Sequence, residues 1–289
     1  MQKNAASAFM RGLIDYAGLF PPAELPLKEA ISNYARYIKG DSRWMMGPFV
    51  IPAARLQELN EHRSLFSSDA PLRLSVIVKS LNEMEQLSAF SAAFGELGSI
   101  TALETPLTDE KSLEQLLERT KPPLYAEVPV QQPEAILDRI KAIRARKERI
   151  GVKVRMGGVS ADRFPEASEA ARMIDECRKR GLPMKFTAGL HHPIREYRPE
   201  VQTKMHGFVN VFTAAIMVYS LRIDERTIEQ LLLDEQPEHF SFAGQSLAWN
   251  GLTVTSEQIN QARRQFAGSY GSCSFDEPRE EFSLLAIFS

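Results

Sequence analysis

The chain has 289 residues, 44% of them hydrophobic and 25% charged, an ordinary globular composition. Its 35 Lys and Arg against 37 Asp and Glu give a net charge of −2, which leaves no basic surplus for nucleic acid. Two cysteines cannot build a disulfide framework, and Val209 to Leu221, the most apolar segment, falls short of the roughly 20 residues that span a bilayer. With Arg11 cutting the apolar stretch from Ala5 to Met10, no signal peptide is expected either. These features describe a cytoplasmic protein with a small-molecule partner, no membrane or nucleic-acid partner, and an oligomeric state left open, a homo-oligomer included.

In chain order, short β-rich runs alternate with helical stripes. The runs are Gly12 to Tyr16, Pro48 to Pro52, Leu72 to Lys79, Ile100 to Glu104, Leu124 to Val128, Gly151 to Met156 and Met184 to Gly189. Each is short and mostly Val, Ile, Leu and Phe, the pattern of parallel strands covered on both faces. Between them, Leu27, Ala30, Ile31, Tyr34, Ala35 and Ile38 recur at helical spacing, as do Leu113, Leu116 and Leu117, and later Ala170, Met173, Ile174 and Cys177.

Repeated strand–helix units imply an α/β fold with a parallel sheet. A length near the usual 250 or so residues, and no Gly-x-Gly-x-x-Gly after an early strand, favour a closed (β/α)₈ TIM-type barrel over an open dinucleotide-binding sheet. Tyr270 to Ser274, following a helix from Ser256 to Phe266, is taken as the closing strand. The segment at about 239–254, with Phe240-x-Phe242 and Leu247 to Gly251, reads as a hairpin inserted before that last helix and strand. One barrel domain over 1–289 is expected.

Charges inside such strands demand an explanation. Lys79, Glu104, Glu127, Lys153, Arg155 and Lys185 all fall near strand C-terminal ends, where barrels of this type build their sites. Alternation sends Val152, Val154 and Met156 to one face and Lys153 and Arg155 to the other. It likewise groups Lys185 with Thr187. Buried charge is a poor means of stabilisation alone, so a site is the stronger reading and interior ion pairs the weaker one.

Further polar groups follow the seventh strand. Gly189-Leu190-His191-His192-Pro193 offers two histidines that an extended chain points in opposite directions, and His206 and Asn210 share a helix face. A metal site would combine His191 or His192 with His206, Glu104 or Glu127. That spacing matches no standard motif, so neither metal nor other cofactor is expected. Ser272 and Ser274, ahead of Asp276 and Glu277, can offer backbone N–H groups to an anion, although the two acids look more like helix-start residues. Cys273 among serines reads as a small residue rather than a nucleophile. Asp15 to Pro22 leaves the first strand with an acid, aromatics and a rigid turn that can line a pocket.

The segments Val152-Lys153-Val154-Arg155-Met156-Gly157-Gly158 and Met184-Lys185-Phe186-Thr187-Ala188-Gly189 resemble the lysine-bearing sixth and seventh strands of deoxyribose-phosphate aldolases, which are Schiff-base aldolases. The resemblance covers about forty residues, and Val154, Arg155 and Met156 replace the family's small residues. It implies an imine on Lys153, with Lys185 and Arg155 as cationic neighbours lowering its pKa. Glu104 and Glu127 then move protons and counteract the lowering. The residues alone leave two alternatives: a non-covalent isomerase or lyase that clamps a phosphate or carboxylate, and a ligand-binding barrel without chemistry.

Overall fold

The computed structural model describes residues 4–285 and 287. Eight parallel strands close into a barrel: β1 (Ile14–Tyr16), β2 (Met46–Pro52), β3 (Leu72–Ile77), β4 (Gly98–Pro106), β5 (Leu124–Val128), β6 (Ile150–Arg155), β7 (Met184–Thr187) and β13 (Ala267–Ser272). β13 closes the ring between β1 and β7. Around it lie α1 (Ala5–Met10), α2 (Leu27–Tyr37), α3 (Met84–Phe94), α4 (Glu110–Arg119), α5 (Glu134–Arg146), α6 (Ala167–Arg180), α7 (Phe208–Leu221), α8 (Glu225–Leu233), α9 (Ser256–Gln265) and α10 (Asp276–Leu284). The crossover from β2 to β3 is a 3₁₀ segment, Ala53–Leu65.

The alternation along the strands sorts the wall as anticipated. Leu124, Ala126 and Val128 of β5, and Val152 and Val154 of β6, are buried on the helix side, leaving Tyr125, Glu127 and Lys153 for the interior. Strand ends shift by a few residues for local reasons. Gly12 stands at φ +54°, so extended structure starts at Ile14, and positive φ at Ala188 and Gly189 ends β7 at Thr187. β13 runs from Ala267 to Ser272 rather than Tyr270 to Ser274, because Ser274 is turned toward the next helix, its Oγ accepting from Glu277 N at 3.2 Å.

The insertion is larger than one hairpin. It is a three-stranded antiparallel meander, β10 (Phe240–Ala243), β11 (Ser246–Trp249) and β12 (Leu252–Thr255), standing before α9 and β13. A small ribbon, β8 (Glu196–Arg198) with β9 (Thr203–Met205), follows the β7 exit. Its strands are three residues long and largely exposed, so no hydrophobic alternation announces them.

α7 is buried from Phe208 to Val218, which accounts for its uninterrupted apolar run. It packs against β13 and against α6, α8 and α9, so a core helix needs no polar face. Among the described residues, no helix is long and apolar enough to cross a membrane. Aromatic rings join the outer elements to the barrel: Phe212 meets Phe9 at 6.2 Å, Phe186 at 5.3 Å and Tyr270 at 5.8 Å between centroids, and Phe282 of α10 stacks on Phe9 at 6.4 Å.

Phe212 is fully enclosed at this junction. Phe212→Ala is expected to lower unfolding stability by about 3–5 kcal/mol, read from the shift in a urea or guanidinium midpoint.

Candidate active site

The barrel interior is charged at its centre. Glu104 on β4 divides its two oxygens between two lysines: Oε1 lies 2.7 Å from Lys185 Nζ, and Oε2 lies 2.7 Å from Lys153 Nζ. Lys185 also reaches Asp15 Oδ2 at 2.7 Å and Ser75 Oγ at 3.1 Å, while Ser75 donates to Glu104 at 2.6 Å. Lys153 continues upward to Glu127 Oε2 at 3.1 Å, and Glu127 Oε1 accepts from Arg155 Nε at 3.1 Å. The sequence dictates this stacking, because β6 pairs Lys153 in register with Glu127 on one side and Lys185 on the other.

The electrostatics follow from these contacts. Burial alone would raise the Glu104 pKa, but two ammonium groups outweigh it and hold the carboxyl below its usual range. Burial would likewise lower both lysines, yet Glu104 and Glu127 push Lys153 up, and Asp15 and Glu104 push Lys185 up. The lowered lysine pKa implied by the aldolase resemblance is therefore absent from the resting site. Carboxylates, not cations, touch the ammonium groups. At Asp15 burial prevails over Lys185 and the pKa rises. Its Oδ1 lacks a hydrogen-bond partner among the described residues, and any side chain at Gly47 would collide with that oxygen.

Above the network the C-terminal mouth opens into a cavity of about 600 Å³. Glu104, Glu127, Lys153, Arg155, Lys79, Thr187 and His191 all line it, and Arg163 and Cys273 join them. Phe20, Pro22, Ile77, Pro106 and Leu107 supply an apolar wall. Lys185 does not reach this space; it lies sealed between Asp15, Ser75 and Glu104.

The other sequence candidates lie elsewhere. His192 turns away from the cavity and places Nδ1 at 2.8 Å from Glu281 Oε2, so the two adjacent rings diverge as an extended chain requires. His206 is a neutral clamp: burial foremost lowers its pKa to about 4, with Nδ1 accepting from Arg195 and Nε2 donating to the Pro165 carbonyl at 2.8 Å. Asn210 accepts from Arg195 N at 3.0 Å and donates to the Leu231 and Asp234 carbonyls, both at 2.8 Å, tying α7 to α8. Ser272 is buried beside β1, its carbonyl accepting from Ala17 N, and Ser274 serves α10. His191 stands between Cys273 at 3.8 Å and Glu277 at 3.3 Å. Burial works to lower its pKa, and these two partners raise it to about 9. Among the described residues, the metal-ligating atoms that converge are those of His192, Glu277 and Glu281, not those of His206, Glu104 or Glu127.

Ser75 and Arg163 carry no site signal in the sequence, and Asp15 is marked there only as an acid of the stretch that can line a pocket. An acid within the apolar run Ile14-Asp15-Tyr16 was the available signal for Asp15. Ser75 in Leu72-Arg73-Leu74-Ser75-Val76-Ile77 carried none. Asp15 and Ser75 join Lys185, Glu104, Lys153 and Glu127 in one hydrogen-bonded chain that ends at the open cavity, whose wall Arg163 shares with Lys79 and Arg155.

Replacing Glu104 tests this architecture. Glu104→Gln leaves two buried ammonium groups short of a counter-charge and is expected to cost about 3–5 kcal/mol at neutral pH. Because Glu104 titrates below its usual 4.5 in the folded state, its stabilisation is complete above that pH and is lost as pH falls through the folded value. The stability gap between wild type and variant, measured by denaturant titration, is therefore expected to narrow below about pH 4.5.

No family model matches the chain, and no curated protein matches it. Among solved structures, the chain is similar to a Coccidioides immitis protein assigned as a deoxyribose-phosphate aldolase, with a TM-score of 0.36 and 12% identity over 96% of this chain and 87% of that one.

Proposed function

We propose that this barrel is an aldolase-type lyase, making or breaking a carbon–carbon bond beside the carbonyl of a small molecule through an imine on Lys153. The observation that supports Lys153 over Lys185 is access. Lys153 lines the mouth cavity and its Nζ touches Glu127, which solvent reaches, whereas Lys185 is sealed beneath.

Because the resting lysine is an ammonium ion, the first step is an internal proton transfer. Lys153 passes a proton to Glu127, the more open of its two carboxylates, and the free amine attacks the carbonyl carbon. The carbinolamine loses its hydroxyl as water, taking a proton from Glu127, and leaves a protonated imine. The β-hydroxyl then gives its proton to the Glu127 carboxylate while the bond between the α and β carbons breaks toward the imine cation, so that the β fragment leaves as a carbonyl compound, and the enamine carbon takes that proton back from Glu127. Water then adds back, releasing the carbonyl product and restoring the amine. Glu104, held as an anion by Lys185, stabilises positive charge on the Lys153 nitrogen throughout. The domain is read as one barrel over 1–289.

A second reading rests on the same ion pairs. Both central lysines are already neutralised, and Lys79, Arg155 and Arg163 share the cavity wall. A non-covalent lyase or isomerase would use those cations to hold a phosphate or carboxylate, with a glutamate or His191 as acid–base.

Borohydride reduction separates the two. With a panel of small aldehydes and keto acids, the imine reading expects a reduced adduct on Lys153 by peptide mapping. It also expects complete loss of trapping in Lys153→Met and about a hundredfold to ten-thousandfold slower turnover in Glu127→Gln. Trapping should accelerate at alkaline pH, since Lys153 titrates above its usual 10.5 and yields free amine only there or by internal transfer. Turnover that survives in Lys153→Met, with no adduct in wild type, would leave the clamp.

A further inference from the structure

Beside the mouth, but outside the cavity, His192 sits in a nest of carboxylates. Its Nδ1 lies 2.8 Å from Glu281 Oε2 and 3.8 Å from Glu196 Oε1. Ligating atoms of His192, Glu277 and Glu281 all lie within 4.8 Å of one another. The two glutamates stand one turn apart on α10, so both face the loop that carries His192. Arg198 Nη2 lies against this group, 2.5 Å from His192 Nδ1, 2.6 Å from Glu196 and 3.8 Å from Glu281.

This arrangement is frustrated. One imidazole nitrogen carries either a proton or a lone pair, so Nδ1 cannot both donate to Glu281 and accept from Arg198. In the tautomer that accepts, a lone pair and the carboxylates of Glu196 and Glu281 converge on one guanidinium, while Glu277 beside them is held by His191. The site has the donor set of a metal centre, with an arginine standing in the ion's place.

We propose that His192, Glu277 and Glu281 form a binding site for a divalent transition metal of the zinc class, with Arg198 as the cation it displaces. An imidazole with two carboxylates is a nitrogen–oxygen set suited to zinc, whose bonds of about 2.0–2.2 Å need the ligands to draw in modestly from their present positions. Both glutamates are partly exposed, with 40% and 35% of the side chain accessible, so there is room for them to adjust, Glu277 by releasing His191. A cleft of about 380 Å³, lined by Arg198, Glu196, Glu281 and Arg195, supplies the access route and the room into which Arg198 swings. Glu196 or water completes the coordination. The ion would pin α10 to the exit of β7 and so fix His191, the neighbour that lines the mouth cavity. The site is independent of the imine chemistry.

The test is zinc binding by the whole chain. After stripping with a chelator and dialysis, wild type is expected to bind one equivalent of Zn²⁺ in competition with a chromophoric chelator, to bind Mg²⁺ negligibly, and to melt at higher temperature with zinc. Glu277→Gln/Glu281→Gln, changed on a partly exposed helix face, should keep its circular dichroism and lose more than about a hundredfold in zinc affinity. His192→Ala should behave likewise. Arg198→Ala should bind zinc more tightly, about tenfold, because the competing cation is gone. Absence of stoichiometric zinc in both wild type and Arg198→Ala would overturn the proposal and leave Arg198 as the permanent cation. Undiminished affinity in the double glutamine variant would overturn it as well.

Discussion

One carboxylate shared between two lysines sets the terms for the rest of this barrel. Glu104 is enclosed at the centre of the ring, and each of its oxygens reaches across the interior to a different ammonium group, one from β6 and one from β7. Two cations side by side in a low-dielectric interior repel strongly, and the register of β6 with β7 places Lys153 and Lys185 opposite each other. The carboxylate turns that repulsion into a bridge. Asp15 below and Glu127 above then extend it into an alternating column from the floor of the site to its mouth.

Such a column is a costly way to fill a core. Apolar side chains of similar volume would hold the strands together at least as well, without desolvating charge. Its compensations are positional: each side chain has a partner that fixes its rotamer, and the network ends in an open cavity rather than closing on itself. The same pairing keeps both lysines protonated at rest, so the column holds no resident free amine.

The fold was legible because its signals repeat. Seven strand–helix units, each with its own apolar pattern, corrected one another, and alternation in Val152-Lys153-Val154-Arg155 told inside from outside. The charged residues of the interior on longer strands were legible for the same reason, since Glu104, Glu127, Lys153 and Lys185 interrupt otherwise apolar runs. Asp15 sits on a three-residue strand, too short to show a period, and Ser75 hides among residues of similar size. His206 and Asn210 misled because a conspicuous polar residue on a helix is equally useful for capping backbone groups. Their hydrogen bonds to Pro165, Leu231 and Asp234 depend on tertiary neighbours that spacing does not encode. The cluster at His192 escaped for a related reason, its partners being supplied from α10, some eighty-five residues further along the chain.

The two glycines where β6 and β7 leave the barrel give the rim an asymmetry. A Cβ on Gly189 would come within 2.7 Å of Gly157 Cα and 2.8 Å of the Met156 carbonyl, so the two exits are pressed backbone to backbone. That half of the rim is a fixed jaw. Phe20 and Pro22 after β1 and Leu107 after β4 line the cavity as side chains from separate loops. Divergence among descendants of such a scaffold has a natural place to accumulate. The shape of the cavity is open to change through those loops, while the tight exits hold Lys153 and Lys185 in register.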